Sequence, residues 1–192
     1  MIIKIILIKK GVILKMKYIV LLRGINVGGK NKIKMSELKN MFESINYKNV
    51  KTYIQSGNVS FEYDSGNIIN LSNQIEKKII ETFGMYVKTV IRSEEELKNI
   101  VNGNPFVNEI NIEMDKLHVT FMADIPDPNL VSLLDIKKES NEKFLINSRE
   151  IYLYCPNGYG RTKLNNGMFE KKLEVMSTTR NWKTINNILR DI

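Results

Sequence analysis

Arg23, Lys30, Lys32 and Lys34 fall within RGINVGGKNKIK, a stretch of the chain with no acid in it. Glycines leave backbone N–H groups bare, and such groups beside cationic side chains predict a cradle for an anion such as a phosphate. The candidate ligands here are the side chains of Arg23, Asn26 and Lys30 and the backbone N–H groups of Gly28 and Gly29. Gly24 to Lys30 also fits the G-x-x-x-x-G-K spacing of a phosphate loop after a strand. The match breaks at Asn31, where a Ser or Thr would hold magnesium, and the helix cap is expected only at Ser36. A looser anion loop is therefore weighed against a plain solvated basic loop that uses its glycines for turning. Two further candidates accompany it. Gln55, Ser56 and Asn58 form a polar hairpin tip, and Arg161 and Lys163 precede a helix while Thr179, Arg180 and Asn181 precede another. Their plain readings are a turn and a pair of helix caps.

Other chemistry finds little support. One cysteine, Cys155, and one histidine, His118, make no zinc site without carboxylates, and no HExxH or CxxC spacing occurs. A thiol–imidazole pair would need those two core-strand residues to meet. No metal or cofactor is expected. The lone cysteine makes a reducing cytoplasm the default expectation. The net charge of +8 suggests nucleic acid, but its distribution weakens that reading. Residues 1–15 hold four lysines and no acid, residues 16–159 balance 18 basic against 18 acidic side chains, and residues 160–192 hold seven against three. No stretch reaches the roughly 18 apolar residues of a membrane helix.

The elements that must hold these groups are legible from periodicity. Lys17–Arg23 is a nearly continuous apolar run, which suits a strand buried on both faces. Leu38, Met41, Phe42 and Ile45 make one helical face, with Ser36 expected as its cap. Val50–Gln55 and Asn58–Tyr63 read as a hairpin, a helix is expected from about Asn67 to Phe83, and Tyr86–Ile91 reads as a fourth strand. The order is βαββαβ, the ferredoxin-like α/β plait. Ser93 and Glu96 form a capping box that opens a linker helix. After it, Leu117–Ala123, a short helix at Pro128, a hairpin at Phe144–Ile146 and Ile151–Cys155, and helices near Leu164 and from Trp182 repeat much of that order. The second half thus reads βαββα, and its pattern leaves open whether Thr178–Arg180 adds a short closing strand. No sequence repeat relates the halves. The division is 1–15 as an upstream or added extension, 17–92 and 117–192 as plait halves, and 93–116 as linker. Specific RNA binding is disfavoured because NVSFEY lacks the leading glycine–aromatic pair of an RNA-recognition strand.

Five stretches in order, YIVLLRGINVGGKNKIKM, NVKTYIQSGNVSF, the NPF at Asn104–Phe106, YCPNGYGRTKL and TTRNWKT, resemble the bacterial domain-of-unknown-function family 1697. The resemblance runs from Met16 to the C-terminus and implies a compact cytoplasmic protein of two ferredoxin-like halves, with no activity attached. It also implies that Asn26, Lys30, Gln55, Ser56, Gly57, Asn58, Lys163, Thr179, Arg180 and Asn181 belong to shared motifs. The expectation is an α+β protein, two antiparallel plait halves joined by a helix, whose three polar regions converge on one cleft between the halves that binds a small anionic, phosphate-bearing ligand. Any catalysis there would be electrostatic. The alternatives are a nucleic-acid-binding module and an interaction protein whose polar turns merely lock its halves together.

Overall fold

A computed structural model describes residues 15–29, 31–55, 57–64, 67–136 and 141–192. The expected 1–15 extension therefore lies, but for Lys15, outside the described residues, as do the candidate ligands Lys30 and Ser56. The first half runs β1 (Lys15–Leu22), α1 (Met35–Ser44), β2 (Lys48–Tyr53), β3 (Asn58–Asp64), α2 (Ile68–Phe83), β4 (Thr89–Ser93) and α3 (Glu94–Asn102). The second runs β5 (Leu117–Met122), α4 (Pro128–Ser132), β6 (Lys143–Asn147), β7 (Glu150–Tyr154), α5 (Asn166–Leu173), β8 (Ser177–Asn181) and α6 (Trp182–Asp191). Each half forms a four-stranded antiparallel sheet, ordered β2-β3-β1-β4 and β6-β7-β5-β8. The molecule is an α+β protein of two ferredoxin-like halves, and β8 supplies the closing strand.

Strand alternation sorts the core into three layers. Tyr18, Val20 and Leu22 of β1 point outward into a core with α1 and α2, where Leu38, Phe42, Leu71, Ile75 and Ile79 are buried. Ile19 and Leu21 point inward, against Val119 and Phe121 of β5, Leu97 and Ile100 of α3 and Trp182, Ile185 and Ile188 of α6. Met122, Ile151 and Leu153 face the third core, closed by Phe169 and Leu173 of α5. β1 is thus covered on both faces, as its unbroken apolar run demands.

The helices α3 and α6 lie between the sheets, and each reaches onto the other half's sheet. Tyr152 of β7 donates its hydroxyl to the Ile100 carbonyl of α3 at 3.1 Å, while Lys17 of β1 donates to the Ile192 carbonyl beyond α6 at 2.7 Å. Both sheet faces in each half are therefore occupied, and the face an RNA-recognition module would present is inside the molecule. Phe61 and Tyr63 belong to the first core and not to a stacking platform: Phe61 lies 4.1 Å from the Tyr47 ring and 5.7 Å from Tyr18.

Local signals set the helix ends with one exception. Ser93 and Glu96 complete their capping box, Asn67, Asp127 and Asn181 cap α2, α4 and α6, and Gly84 ends α2 with φ 66°. Ser36 does not cap α1, however. The helix begins at Met35, Lys34 takes the cap position, and no side chain accepts from its first turn. Asn26 explains the shift: its side chain bonds both the N–H and the C=O of Ile33, which brings the chain in early enough to start the helix two residues sooner.

Candidate functional site

The candidate residues separate into three places. The first is the seam between the halves. Arg180, near the end of β8, sends its guanidinium into the other half: Nε donates to Asn58 Oδ1 at 2.5 Å and Nη2 to the Leu22 carbonyl at 2.7 Å and the Gly57 carbonyl at 3.4 Å. Nη1 donates to Thr178 Oγ1 and the Thr179 carbonyl. Both Arg180 and Asn58 are buried, and burial pulls the guanidinium down to about 10. Gly57 is left-handed, with φ 72°, and a Cβ there would sit 2.6 Å from Ile25 Cδ1 and 2.9 Å from Leu22 Cβ. Only glycine fits this left-handed turn against Ile25 and Leu22.

Sequence reasoning singled out Arg180 but missed its counterpart. Arg92 occupies the same place in β4: it is opposite Ile19 of β1 as Arg180 is opposite Val119 of β5. It too crosses the seam, donating from Nε to Glu150 Oε1 at 2.8 Å and from Nη2 to the Met122 carbonyl at 2.7 Å and the Arg149 carbonyl at 3.3 Å. Met122 ends β5 as Leu22 ends β1, and Glu150 opens β7 as Asn58 opens β3. The halves therefore exchange arginines about a pseudo-two-fold axis. Desolvation lowers the Arg92 pKa, and the adjacent Glu150 carboxylate opposes that shift. Arginine suits such a place because its five donors can satisfy a carboxylate or amide and two carbonyls at once.

Around the seam, Arg23 Nη2 donates to Glu170 Oε2 at 2.6 Å, and Glu170 Oε1 accepts from the Ser177 backbone N–H. Thr179 bonds Thr120 Oγ1 at 2.6 Å, Tyr159 Oη at 2.9 Å and Asn166 Oδ1 at 2.5 Å. Asn181 caps α6 and holds the Asp115 carbonyl. Burial lowers the His118 pKa; its ring stacks on Tyr159 and its Nδ1 lies 3.1 Å from the Lys116 carbonyl. Burial pushes the Cys155 thiol up to about 11, the opposite of an activated nucleophile.

The second place is a groove of about 630 Å³ within the first half, lined by Asn26, Lys32, Lys34, Ser36, Glu37 and Gln55 among others. Asn26 Nδ2 also donates to the Gln55 carbonyl at 2.8 Å, tying the basic loop to the hairpin tip. The loop is turned by left-handed residues: Gly24, Asn26, Gly28, Gly29 and Asn31 all have positive φ. The groove opens on the uncapped first turn of α1, where backbone N–H groups and the helix dipole favour negative charge. Lys32 and Lys34 add two positive charges and Glu37, 3.4 Å from Lys34, removes one. Gly28 and Gly29 are exposed beside it.

Lys163, exposed at the other half's loop, is the third place. The residues sought as one site are thus a buried seam (Asn58, Arg180) with half-buried neighbours (Arg23, Thr179), a helix cap (Asn181), an open groove (Asn26, Gln55), two exposed loop glycines (Gly28, Gly29) and a solvated lysine. Among the described residues no cluster of His, Cys, Asp and Glu could hold a metal, and no helix is long and apolar enough to cross a membrane.

Comparison with known proteins agrees on the fold. Residues 16–152 match the family described as "Protein of unknown function (DUF1697)". The chain is similar to a solved structure, that of conserved bacterial protein SP0830 from Streptococcus pneumoniae, with a TM-score of 0.70 and 23% identity over 92% of this chain and 98% of that one. No curated protein matches the chain.

Proposed function

The chain belongs to that family of unknown function, and from its own geometry we propose that it binds a small phosphate-type anion in the groove between the basic loop and the first turn of α1. One observation carries the reading. The pseudo-two-fold separates what builds the molecule from what is added to it. Seam arginines, capped helices and carboxylates over the last strand occur in both halves and are architecture. The loop between β1 and α1 occurs once: twelve residues, Arg23–Lys34, stand where Ala123–Asp127 suffices in the second half. Only the longer loop carries consecutive left-handed glycines, lysines and a groove at a helix start lacking a side-chain cap. A phosphate oxygen would accept from the first-turn N–H groups, with Lys32 and Lys34 supplying charge and Gln55 and Ser36 supplying polar contacts. The buried Arg180 holds the halves together and does not reach this ligand.

The test is thermal denaturation of the full chain in inorganic phosphate, pyrophosphate and nucleoside phosphates, with chloride held constant. Stabilisation that saturates, and is lost in Lys32→Glu/Lys34→Glu but kept in Lys163→Ala, supports the reading. Absence of any shift, or a shift that the double variant keeps, overturns it. Steeply salt-dependent stabilisation by any oligonucleotide would instead favour a nucleic-acid partner.

A further inference from the structure

The pseudo-two-fold also exposes a difference at the start of each last strand. Glu76 of α2 and Glu170 of α5 are counterparts: each accepts the first backbone N–H of its strand, Thr89 at 2.9 Å and Ser177 at 2.6 Å. The second oxygen of each is treated differently. Glu170 Oε2 receives Arg23, which crosses from the other half. The residue matching Arg23 is Ala123, since Arg23 N–H donates to the Lys88 carbonyl and Ala123 N–H to the Met176 carbonyl. A methyl group therefore stands where an arginine side chain stands in the mate, and a groove of about 230 Å³ runs along it. Its floor is the Glu76 carboxylate with the Ser72 and Thr89 hydroxyls, 2.8 Å apart, and its walls include Ile68, Ile69, Ala123 and Met176.

We propose that this groove binds a small aliphatic guanidinium or ammonium compound, whose charged head takes at Glu76 the place that the Arg23 guanidinium takes at Glu170. The stem lies along Ile69, Ala123 and Met176, as an arginine stem lies along apolar surface. The size fits one side-chain-sized molecule, being below the roughly 300–1,000 Å³ of pockets for larger ligands. Lys88 is the competitor, donating to Glu76 Oε2 at 3.0 Å. Its side chain is 43% exposed and lies 4.9 Å over the Tyr86 ring, so it can yield the carboxylate and keep a partner. A guanidinium outcompetes it by donating one N–H to Glu76 Oε2, as Arg23 does at Glu170, while its planar fork turns further donors to the neighbouring hydroxyls, where an ammonium is a point charge. Ser72 and Thr89 hydroxyls accept what the carboxylate leaves.

The experiment follows the methyl resonances of Ile68, Ile69 and Met176 in the full chain during titration with low-millimolar butylguanidinium, with butanol as the uncharged control. Saturable shifts with the cation and none with butanol are expected. Lys88→Met, which copies Met176 of the other half, should tighten binding at least about tenfold by removing the competing charge. Ala123→Arg, which copies Arg23, and Glu76→Gln, which removes the anion, should each abolish it. Equal shifts with butanol, no shifts in either wild type or Lys88→Met, or binding that survives Glu76→Gln would overturn the proposal. Should Ala123→Arg fail to fold, Glu76→Gln and Lys88→Met still decide it.

Discussion

The two buried arginines that cross the seam, Arg92 and Arg180, do the same job with different partners. Arg92 meets the Glu150 carboxylate and two carbonyls at the end of β5 and the β7 turn; Arg180 meets the Asn58 amide and two carbonyls at the end of β1 and the β3 turn. The shared part, a fork of donors filling strand-end carbonyls of the other half, is what the architecture requires. The differing part, carboxylate against amide, shows how much latitude that role leaves. A residue that looks like a ligand by its sequence neighbours can therefore be a fastener, and its structural mate reveals which.

The largest expected effect comes from breaking the charged fastener. Arg92→Met strands a largely buried Glu150 carboxylate, and removing one partner of a buried ion pair costs roughly 3–5 kcal/mol. Arg180→Met leaves carbonyls and an amide short of donors, about 1–3 kcal/mol. Urea denaturation of both variants measures the pair, and an Arg180 loss equal to or above the Arg92 loss would erase the distinction.

Glycine sharpens the same contrast. Gly57→Ala forces a Cβ into Ile25 and Leu22 at a left-handed φ, and roughly 2–4 kcal/mol of destabilisation is expected. Gly28→Ala meets nothing within 4 Å and carries only the cost of its positive φ, about 1 kcal/mol. Similar losses at the two sites would mean that the seam is no more tightly packed than the loop.

Asn58→Asp makes the second fastener resemble the first. The new carboxylate beside Arg180 gains a charge-assisted bond but loses the amide donation to the Tyr53 carbonyl at 3.1 Å, so the net change at neutral pH should stay within about 1 kcal/mol. Held below its unfolded pKa by the guanidinium, the carboxylate gives a gain that is present above that value and lost as acidification protonates it. A stability that ignores pH in this variant would show that Arg180 does not reward a charge.

The smallest effect concerns His118, whose pKa burial lowers. The unfolded chain then binds the extra proton first, so stability should fall as pH drops below about 6.5, the ordinary histidine value. His118→Gln should flatten that part of the stability curve. Since this is the chain's one histidine, a persisting slope there would assign the effect to carboxylates.

Most of the fold was legible because local physics sets it. The unbroken run of β1 announced burial on both faces, and Ser93 with Glu96, Asn67 and Gly84 announced helix ends through backbone groups they alone could satisfy. The βαββαβ order of the first half and the βαββα of the second followed from periodicity, while the closing strand β8 was left open by its short polar sequence. Ser36 misled because the tie that starts α1 early is the Asn26 side chain, distant in sequence from the cap. The pseudo-two-fold was invisible because the matching pairs, Leu22 with Met122, Asn58 with Glu150 and Arg92 with Arg180, are spaced differently in each element and share chemistry only in part. Sequence alone could set the basic loop, the polar turns and their residues beside one another as candidates. Which of them were buried and which stayed open was decided only when the halves docked, because desolvation and the supply of donors across a seam depend on residues more than a hundred positions apart, as Arg180 and Asn58 are.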